Sequence, residues 1–383
     1  MTHASGKKPR IVIVTHEFAP FRGGVATYSE ELAAALHRAG QPVEVWAPDY
    51  DGRDAEEGFT FPVVRLRAGG SLRFGHQMQL ARQLSARQAQ MEGALVLLTS
   101  VGAHLAFMAF VSLGRVNCRG VVSLLHGSEV LRFQQYPLWR YCARRFYSRV
   151  DCVLTVSQFS KSLIERSFLS PLAREIVIAP CACSTAATRS CGTVGKNDGR
   201  IRVLTLARVH PRKGQLDTAQ ALALLSPKLR TRILYQVGGT GDAGYLRRVQ
   251  ETCADAGLAV EHLGVIGPDR LAATYAQCDI FVMTSRSLPN SVEGFGIAYL
   301  EAGLHGKPVV GYRSGGVAEA VVDGETGLLV AEGDITGVAN ACQKLATDAA
   351  LRQRLGENGR QHAARFNWDE TARIILSSME GIS

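Results

Sequence analysis

The chain opens its regular patterning with an unbroken apolar run, residues 10–15 (RIVIVT), of the kind buried on both faces of a parallel sheet. After the loop 16–24 the spacing turns helical over 25–39 and is stopped by Gly40, and a second apolar run follows at 42–47. The same strand–loop–helix order recurs with strands at 95–98, 120–125 and 152–156, a helix around 103–113 and another from Ser157. A short strand at 176–179 closes the series. Alternation of this kind predicts an open α/β sheet wound by right-handed crossovers.

Residues 183–199 (CSTAATRSCGTVGKNDG) are small, polar and glycine-bearing, which predicts an interdomain linker. Beyond them the strand–helix pattern restarts, with strands expected at 202–207, 232–237, 261–263, 280–284, 308–311 and 328–330. Helices are expected between them and at 335–347, 350–366 and 368–379. The expected architecture is therefore α/β, two Rossmann-like doubly wound domains facing each other across a cleft. One covers 1–182 and the other 200–366, and a terminal helix at about 367–383 packs back on the first. A length of 383 residues suits two cores better than one.

Composition narrows the class. A 46% hydrophobic, 20% charged chain is globular rather than disordered, and no run approaches eighteen apolar residues. The N-terminus runs straight into the first strand without a signal-type apolar segment. Nine cysteines lack any C-x-x-C spacing; Cys181, Cys183 and Cys191 cluster without a histidine pair to complete a zinc site, so reduced thiols in a cytoplasmic protein are expected. The net charge of +9 is uneven: residues 1–180 hold 21 Lys and Arg against 14 Asp and Glu, and the remainder 22 against 20. One half is thus drawn to an anionic surface or substrate.

In open α/β sheets ligands bind at the carboxyl ends of strands, so the loops after each strand carry the candidate chemistry. The strongest is 291–307 (SVEGFGIAYLEAGLHGK), where Glu293 and Glu301 stand eight apart around a helix start near Gly296. A fully helical span would separate them by about 12 Å. The backbone N–H groups of Phe295, Gly296 and Ile297 lie at the helix N-terminus, a ready anion site. Both glutamates could equally be a cap and a solvated helix face. The loop after 202–207 holds Arg208 and Lys213 across a proline turn, a pair suited to neutralising a diphosphate. Gly23 and Gly24 begin the first helix, where glycine lets a phosphate or sugar approach the backbone. His126 ends the strand 120–125, a place where a histidine serves structure as often as chemistry. Gly239 opens a literal G-x-G-x-x-G at 239–244 with Glu261 about twenty residues on, but it follows the second strand of its domain rather than the first. It reads as a loop near a nucleotide without hydride chemistry.

With these residues in place, the chain resembles the retaining glycosyltransferases of the GT-B fold, the large family that includes sucrose synthases and bacterial phosphatidylinositol mannosyltransferases. The segments that carry the likeness are 291–330, then 207–214 (ARVHPRKG), supported by the 22–28 loop and HGSE at 126–129. The resemblance implies that Arg208 and Lys213 grip the donor diphosphate, that Glu293 binds the donor sugar and that Glu301 holds the ribose. It implies phosphate contacts from Phe295–Ile297, a place for His126 beside the reacting sugar, and passage of phosphate or acceptor at Gly23 and Gly24. It further implies an acceptor-side first domain, a donor-binding second domain, a UDP- or GDP-sugar donor, and neither metal nor cofactor. The sequence departs from the family at 179–183, where a proline-asparagine-glycine turn is usual, and at Gly127, where Asp is common.

Residues 132–149 interleave five arginines with six aromatics, which suits an amphipathic helix on an anionic leaflet as well as a surface helix with its aromatics in the core. No nucleic-acid-binding motif accompanies it. The expected function is transfer of a sugar to a lipid-linked glycan or glycolipid of the cell envelope, by a cytoplasmic enzyme peripheral to the inner membrane face. A nucleotide-sugar epimerase and a non-catalytic nucleotide-sugar binding protein are the alternatives.

Overall fold

A computed structural model describes residues 8–21, 23–50, 58–112, 116–172, 174–189 and 198–382. The chain divides into two compact units, Met1–Cys181 with Trp368–Ser383, and Ala182–Asn367.

The first unit holds a seven-stranded parallel sheet: β1 (Ile11–Val14), β2 (Val43–Pro48), β3 (Val63–Leu66), β4 (Leu95–Leu98), β5 (Gly120–Leu125), β6 (Cys152–Thr155) and β7 (Ile176–Ile178), in the order β3-β2-β1-β4-β5-β6-β7. Every residue of β1, β4, β5 and β6 is buried, whereas the edge strand β3 is only partly covered, as expected for strands with helices on both faces and an open margin. β1 pairs with β2 on one side and with β4 on the other, Ile11 opposite both Val43 and Leu95. The strand order reverses at this point, which fixes where loops diverge and a ligand can enter.

The terminal helix Trp368–Met379 packs in this first unit against helix Gly24–Arg38. The Trp368 ring meets Tyr28 edge-on at 5.0 Å, and Thr371 donates to the Pro180 carbonyl at 2.8 Å.

The second unit holds six parallel strands: β8 (Ile201–Leu206), β9 (Ile233–Gly238), β10 (Ala259–Gly264), β11 (Ile280–Met283), β12 (Val309–Tyr312) and β13 (Gly327–Val330), in the order β10-β9-β8-β11-β12-β13. Its reversal falls between β8 and β11, where Val203 pairs with Ile280.

Three details depart from the sequence reading. β3 and helix Phe74–Ala86 stand outside the expected elements: Pro62 interrupts the run before β3, and the buried face of the helix, Gln77, Leu80, Ala81 and Leu84, includes a polar glutamine. The stretch 132–149 is not one helix: Ser128–Phe133 ends before Pro137, which begins a second helix, Pro137–Tyr147, where the missing N–H costs nothing. Within the expected linker 183–199, Ser184 caps a short helix, Thr185–Thr188, in the second unit; residues 190–197, Cys191 among them, lie outside the described residues.

Candidate active site

The site in the second unit grows from two loops at the strand reversal. After β8 the chain makes a single tight turn, Pro211–Lys213, and enters helix Gln215–Ala223 through Gly214, whose φ is +70°. A Cβ on Gly214 would lie 2.0 Å from the Thr284 carbonyl oxygen, so the loops after β8 and β11 touch backbone to backbone. Thr284 seals the contact by donating its hydroxyl to the Gly214 carbonyl at 2.7 Å, and the Arg286 amide donates to the Arg212 carbonyl at 2.7 Å.

This contact delivers Glu293 to the basic loop. Its Oε2 accepts from Lys213 Nζ at 2.6 Å, from Arg212 Nη1 at 3.0 Å and from the Ser285 hydroxyl at 3.0 Å. All three side chains converge on one oxygen of a carboxylate that is 8% exposed. Burial pushes the Glu293 carboxyl up, but the Lys213 and Arg212 charges, with hydrogen bonds from Lys213 and Ser285, overcome it and hold the group down at about 2. Burial likewise pushes Lys213 down; Glu293 draws it back, Arg212 and Arg208 oppose that, and the ammonium comes to rest at about 8.

The sequence marks Arg208 and Lys213 in this loop, whereas the cation that joins Lys213 on Glu293 is Arg212. Arg208 is exposed, and its carbonyl accepts from the Gln215 side chain at 3.0 Å. Arg212 sits beside Lys213 in the same turn, a proximity that gave no sequence signal because neighbouring basic residues in a loop are ordinarily solvated.

The two glutamates are not on one helix. Helix Ile297–Leu304 starts after Gly296 at φ +98°, and residues 293–296 form a loop closed by the Gly316 amide on the Glu293 carbonyl at 2.8 Å. The 12 Å helical separation therefore does not apply. A Cβ on Gly296 would meet the Tyr299 ring at 2.4 Å, so the helix entrance has its aromatic floor directly beneath. Ile297 is the first residue of that helix, and the Phe295 side chain is buried against Phe366 at 5.4 Å. Glu301 is 6% exposed rather than solvated, and its oxygens are met by Ser184 and Tyr275.

Gly239, at φ +113°, has a structural reason of its own: a Cβ there would stand 2.2 Å from the Ala207 carbonyl oxygen. Gly241 packs in the same way on Val209, and Asp242 caps helix Ala243–Asp255 from the Tyr245 amide at 2.9 Å. Glu261 holds Gln236 at 2.8 Å. The G-x-G-x-x-G match thus fastens the loop after β9 onto the loop after β8.

In the first unit, His126 leaves β5 with its ring edge-on to Tyr28 at 5.2 Å. Its Nε2 lies 3.0 Å from the Thr99 carbonyl, which can only accept, so the proton is assigned to Nε2. Its amide donates to Glu129 at 3.0 Å, fixing the turn into Ser128–Phe133. Gly23 caps helix Gly24–Arg38, and a Cβ on Gly24 would meet nothing within 4 Å.

Of the aromatics at 132–149, Phe133, Phe146 and Tyr147 are core, while Tyr136, Trp139 and Tyr141 are 61%, 36% and 64% exposed. Leu138 is 70% exposed beside them. Among the described residues no group of side chains is arranged to hold a metal, and no helix is long and apolar enough to cross a membrane.

Two doubly wound parallel sheets, one of seven strands and one of six, are the architecture of the GT-B fold. The comparisons with known proteins agree. Residues 22–186 match the family described as Glycosyltransferase Family 4, and residues 192–362 the one described as Glycosyl transferases group 1. The GDP-mannose-dependent alpha-(1-6)-phosphatidylinositol monomannoside mannosyltransferase of Mycolicibacterium smegmatis is 32% identical over 381 residues, 95% of this chain and 96% of that protein. In fold, sucrose-phosphate synthase from Thermosynechococcus elongatus superposes with a TM-score of 0.80 at 23% identity, over 97% of this chain and 98% of that one. Anabaena HepE in complex with UDP and glucose gives 0.76 at 20% identity, over 97% and 100%. The chain belongs to the family 4, group 1 glycosyltransferases: it is a retaining hexosyltransferase that uses a nucleotide-sugar donor.

Proposed function

We propose that the protein transfers mannose from GDP-mannose to a phosphatidylinositol-type or other lipid-linked acceptor of the cell envelope, working peripherally at the cytoplasmic face of the membrane. The observation that carries this reading is the relationship over 95% of the chain to an enzyme named for that donor and a glycolipid acceptor.

In this reading the diphosphate binds where the loops after β8 and β11 meet. Lys213 and Arg208 grip it, with Arg212 added by its place on Glu293. The N–H groups of Phe295, Gly296 and Ile297 receive phosphate oxygens at the helix start, and Gly239 lets the neighbouring loop come close. Glu293 accepts hydroxyls of the sugar and Glu301 those of the ribose. His126, Gly23 and Gly24 serve the reacting sugar and the acceptor.

Transfer breaks the bond between the anomeric carbon and the diphosphate oxygen, and its electron pair leaves with the nucleoside diphosphate. Negative charge therefore grows where the cations and helix-end dipoles already stand, which lowers the barrier without reorganisation. The acceptor oxygen attacks from the same face while its proton passes to the departing phosphate, so the configuration is retained. Neither Glu293, already ion-paired, nor Glu301 is required as acid or base.

For the membrane, Leu138, Trp139, Tyr136 and Tyr141 insert at the headgroup level, and neighbouring arginines meet anionic lipid.

The test is sugar transfer by the purified protein from GDP-mannose, UDP-glucose and UDP-N-acetylglucosamine to phosphatidylinositol monomannoside presented in vesicles. Transfer from GDP-mannose is expected. Transfer only from a UDP-sugar, or hydrolysis without lipid product, would replace the donor or the acceptor assignment respectively.

A further inference from the structure

Glu301 is fixed from two sides by side chains that neither the sequence motifs nor the family match single out. Its Oε1 accepts from the Ser184 hydroxyl at 2.5 Å and the Ser184 amide at 3.2 Å, and its Oε2 accepts from the Tyr275 hydroxyl at 2.8 Å. Ser184 is itself held, because its hydroxyl also caps Thr185–Thr188 through the Ala187 amide at 3.2 Å. Tyr275, from helix Pro268–Gln277, is wholly buried and stacks on His305 at 5.6 Å with 12° between the rings. His305 in turn lies 2.9 Å from the Ala187 carbonyl through Nε2, so the two pins belong to one closed arrangement within the second unit.

A buried carboxylate must be hydrogen-bonded, and any nearby donor would satisfy that need. Two donors on rigid, separately anchored groups do more: they set the plane in which the carboxylate can accept further bonds. We propose that Ser184 and Tyr275 are positioning residues for ribose selection, orienting Glu301 so that the site prefers a ribonucleoside diphosphate over its 2′-deoxy analogue. This rests on Glu301 being the ribose acceptor. A ribose hydroxyl donated to that carboxylate adds a charge-assisted hydrogen bond that the 2′-deoxy analogue cannot make.

The experiment is calorimetric affinity for GDP, UDP and their 2′-deoxy analogues, read as the ribo-to-deoxy ratio for the tighter base. Wild type is expected to favour the ribonucleotide about tenfold to a hundredfold, the range of a hydrogen bond to a charged group. Glu301→Ala brings the ratio close to one. Ser184→Ala and Tyr275→Phe each reduce it at least about threefold, and Ser184→Thr, which keeps the hydroxyl, restores it. A preference that survives in Glu301→Ala removes the ribose role of Glu301. If Glu301→Ala loses the preference but Ser184→Ala and Tyr275→Phe keep the wild-type ratio, Glu301 stands and the positioning role is overturned. Equal weakening of both nucleotides, with the ratio intact, is a structural effect and also counts against it.

Discussion

Lys213 Nζ stands 2.6 Å from Glu293 Oε2, and Arg212 reaches the same oxygen at 3.0 Å. One carboxylate thus organises two cations where the chain's second sheet reverses its order, and losing either cation strips it of a partner. Removing either cation leaves Glu293 buried with one cation and the Ser285 hydroxyl, so the loss is smaller than the roughly 3–5 kcal/mol of a wholly uncompensated buried charge. Lys213→Ala and Arg212→Ala are therefore expected to lower the unfolding midpoint, whereas Arg208→Ala, at an exposed side chain, leaves it unchanged. In kinetics the order differs. Lys213→Ala and Arg208→Ala are expected to reduce kcat by about 10²–10³, the effect of losing one preorganised partner of transition-state charge. Thermal unfolding beside steady-state rates checks both; an Arg208→Ala enzyme with wild-type kcat would take Arg208 out of the diphosphate grip.

Acidity follows from the same cluster. Glu293 is held at about 2 against an ordinary 4.5, so in the window between them the unfolded chain binds the proton and the folded one does not. The stability this carboxylate contributes is present above pH 4.5 and is lost as the pH falls toward 2. Lys213 has the opposite sign, since with its folded value at about 8 against 10.5 it favours the folded state increasingly as the pH rises through that interval. Its charge, however, is lost there. The donor kcat/KM is expected to fall above about pH 8, and Lys213→Arg moves that limb upward because a guanidinium stays charged. An alkaline limb unmoved in Lys213→Arg assigns it to another group.

Glycines separate packing from ligand approach. Gly239→Ala places a methyl 2.2 Å from the Ala207 carbonyl oxygen at a φ of +113°, so it should unfold at lower temperature whatever the donor does. Gly24→Ala meets nothing within 4 Å and sits at a helix start, so its stability should hold or rise by about 0.5–1 kcal/mol while transfer falls. Full activity in Gly24→Ala would reduce Gly24 to a helix residue. The unfolding midpoint and the rate, measured together on each variant, give the answer.

These contrasts show what the sequence could and could not disclose. Central strands such as 95–98 are legible because burial on both faces leaves an unbroken apolar run. Lys213 and Glu293 are legible because each follows a strand end. Arg212 was not, since only the tight turn Pro211–Lys213 aims it at Glu293 rather than at solvent. Ser184 and Tyr275 were hidden for a related reason: they lie 117 and 26 residues from Glu301, and nothing local marks a serine in a polar stretch or a tyrosine on a helix as partners of one carboxylate. Gly239 shows the converse, a motif match whose spacing is accounted for by loop packing.

Helix Pro137–Tyr147 presents Leu138, Trp139 and Tyr141 to solvent. Burial of Phe133, Phe146 and Tyr147 already anchors the segment, so Tyr136, Leu138, Trp139 and Tyr141 are not needed for the core. Exposed aromatics beside arginines bind an anionic leaflet through apolar insertion plus about 1 kcal/mol per basic residue near the surface. Vesicles of phosphatidylglycerol and phosphatidylcholine should therefore retain the protein at low salt and release it as screening grows, with pure phosphatidylcholine far weaker. Leu138→Glu with Trp139→Ser should abolish retention without moving the unfolding midpoint, and should lower transfer to a vesicle-borne acceptor more than donor binding. Equal retention by neutral and anionic vesicles, or wild-type retention by the double variant, would show that this face does not dock on membrane.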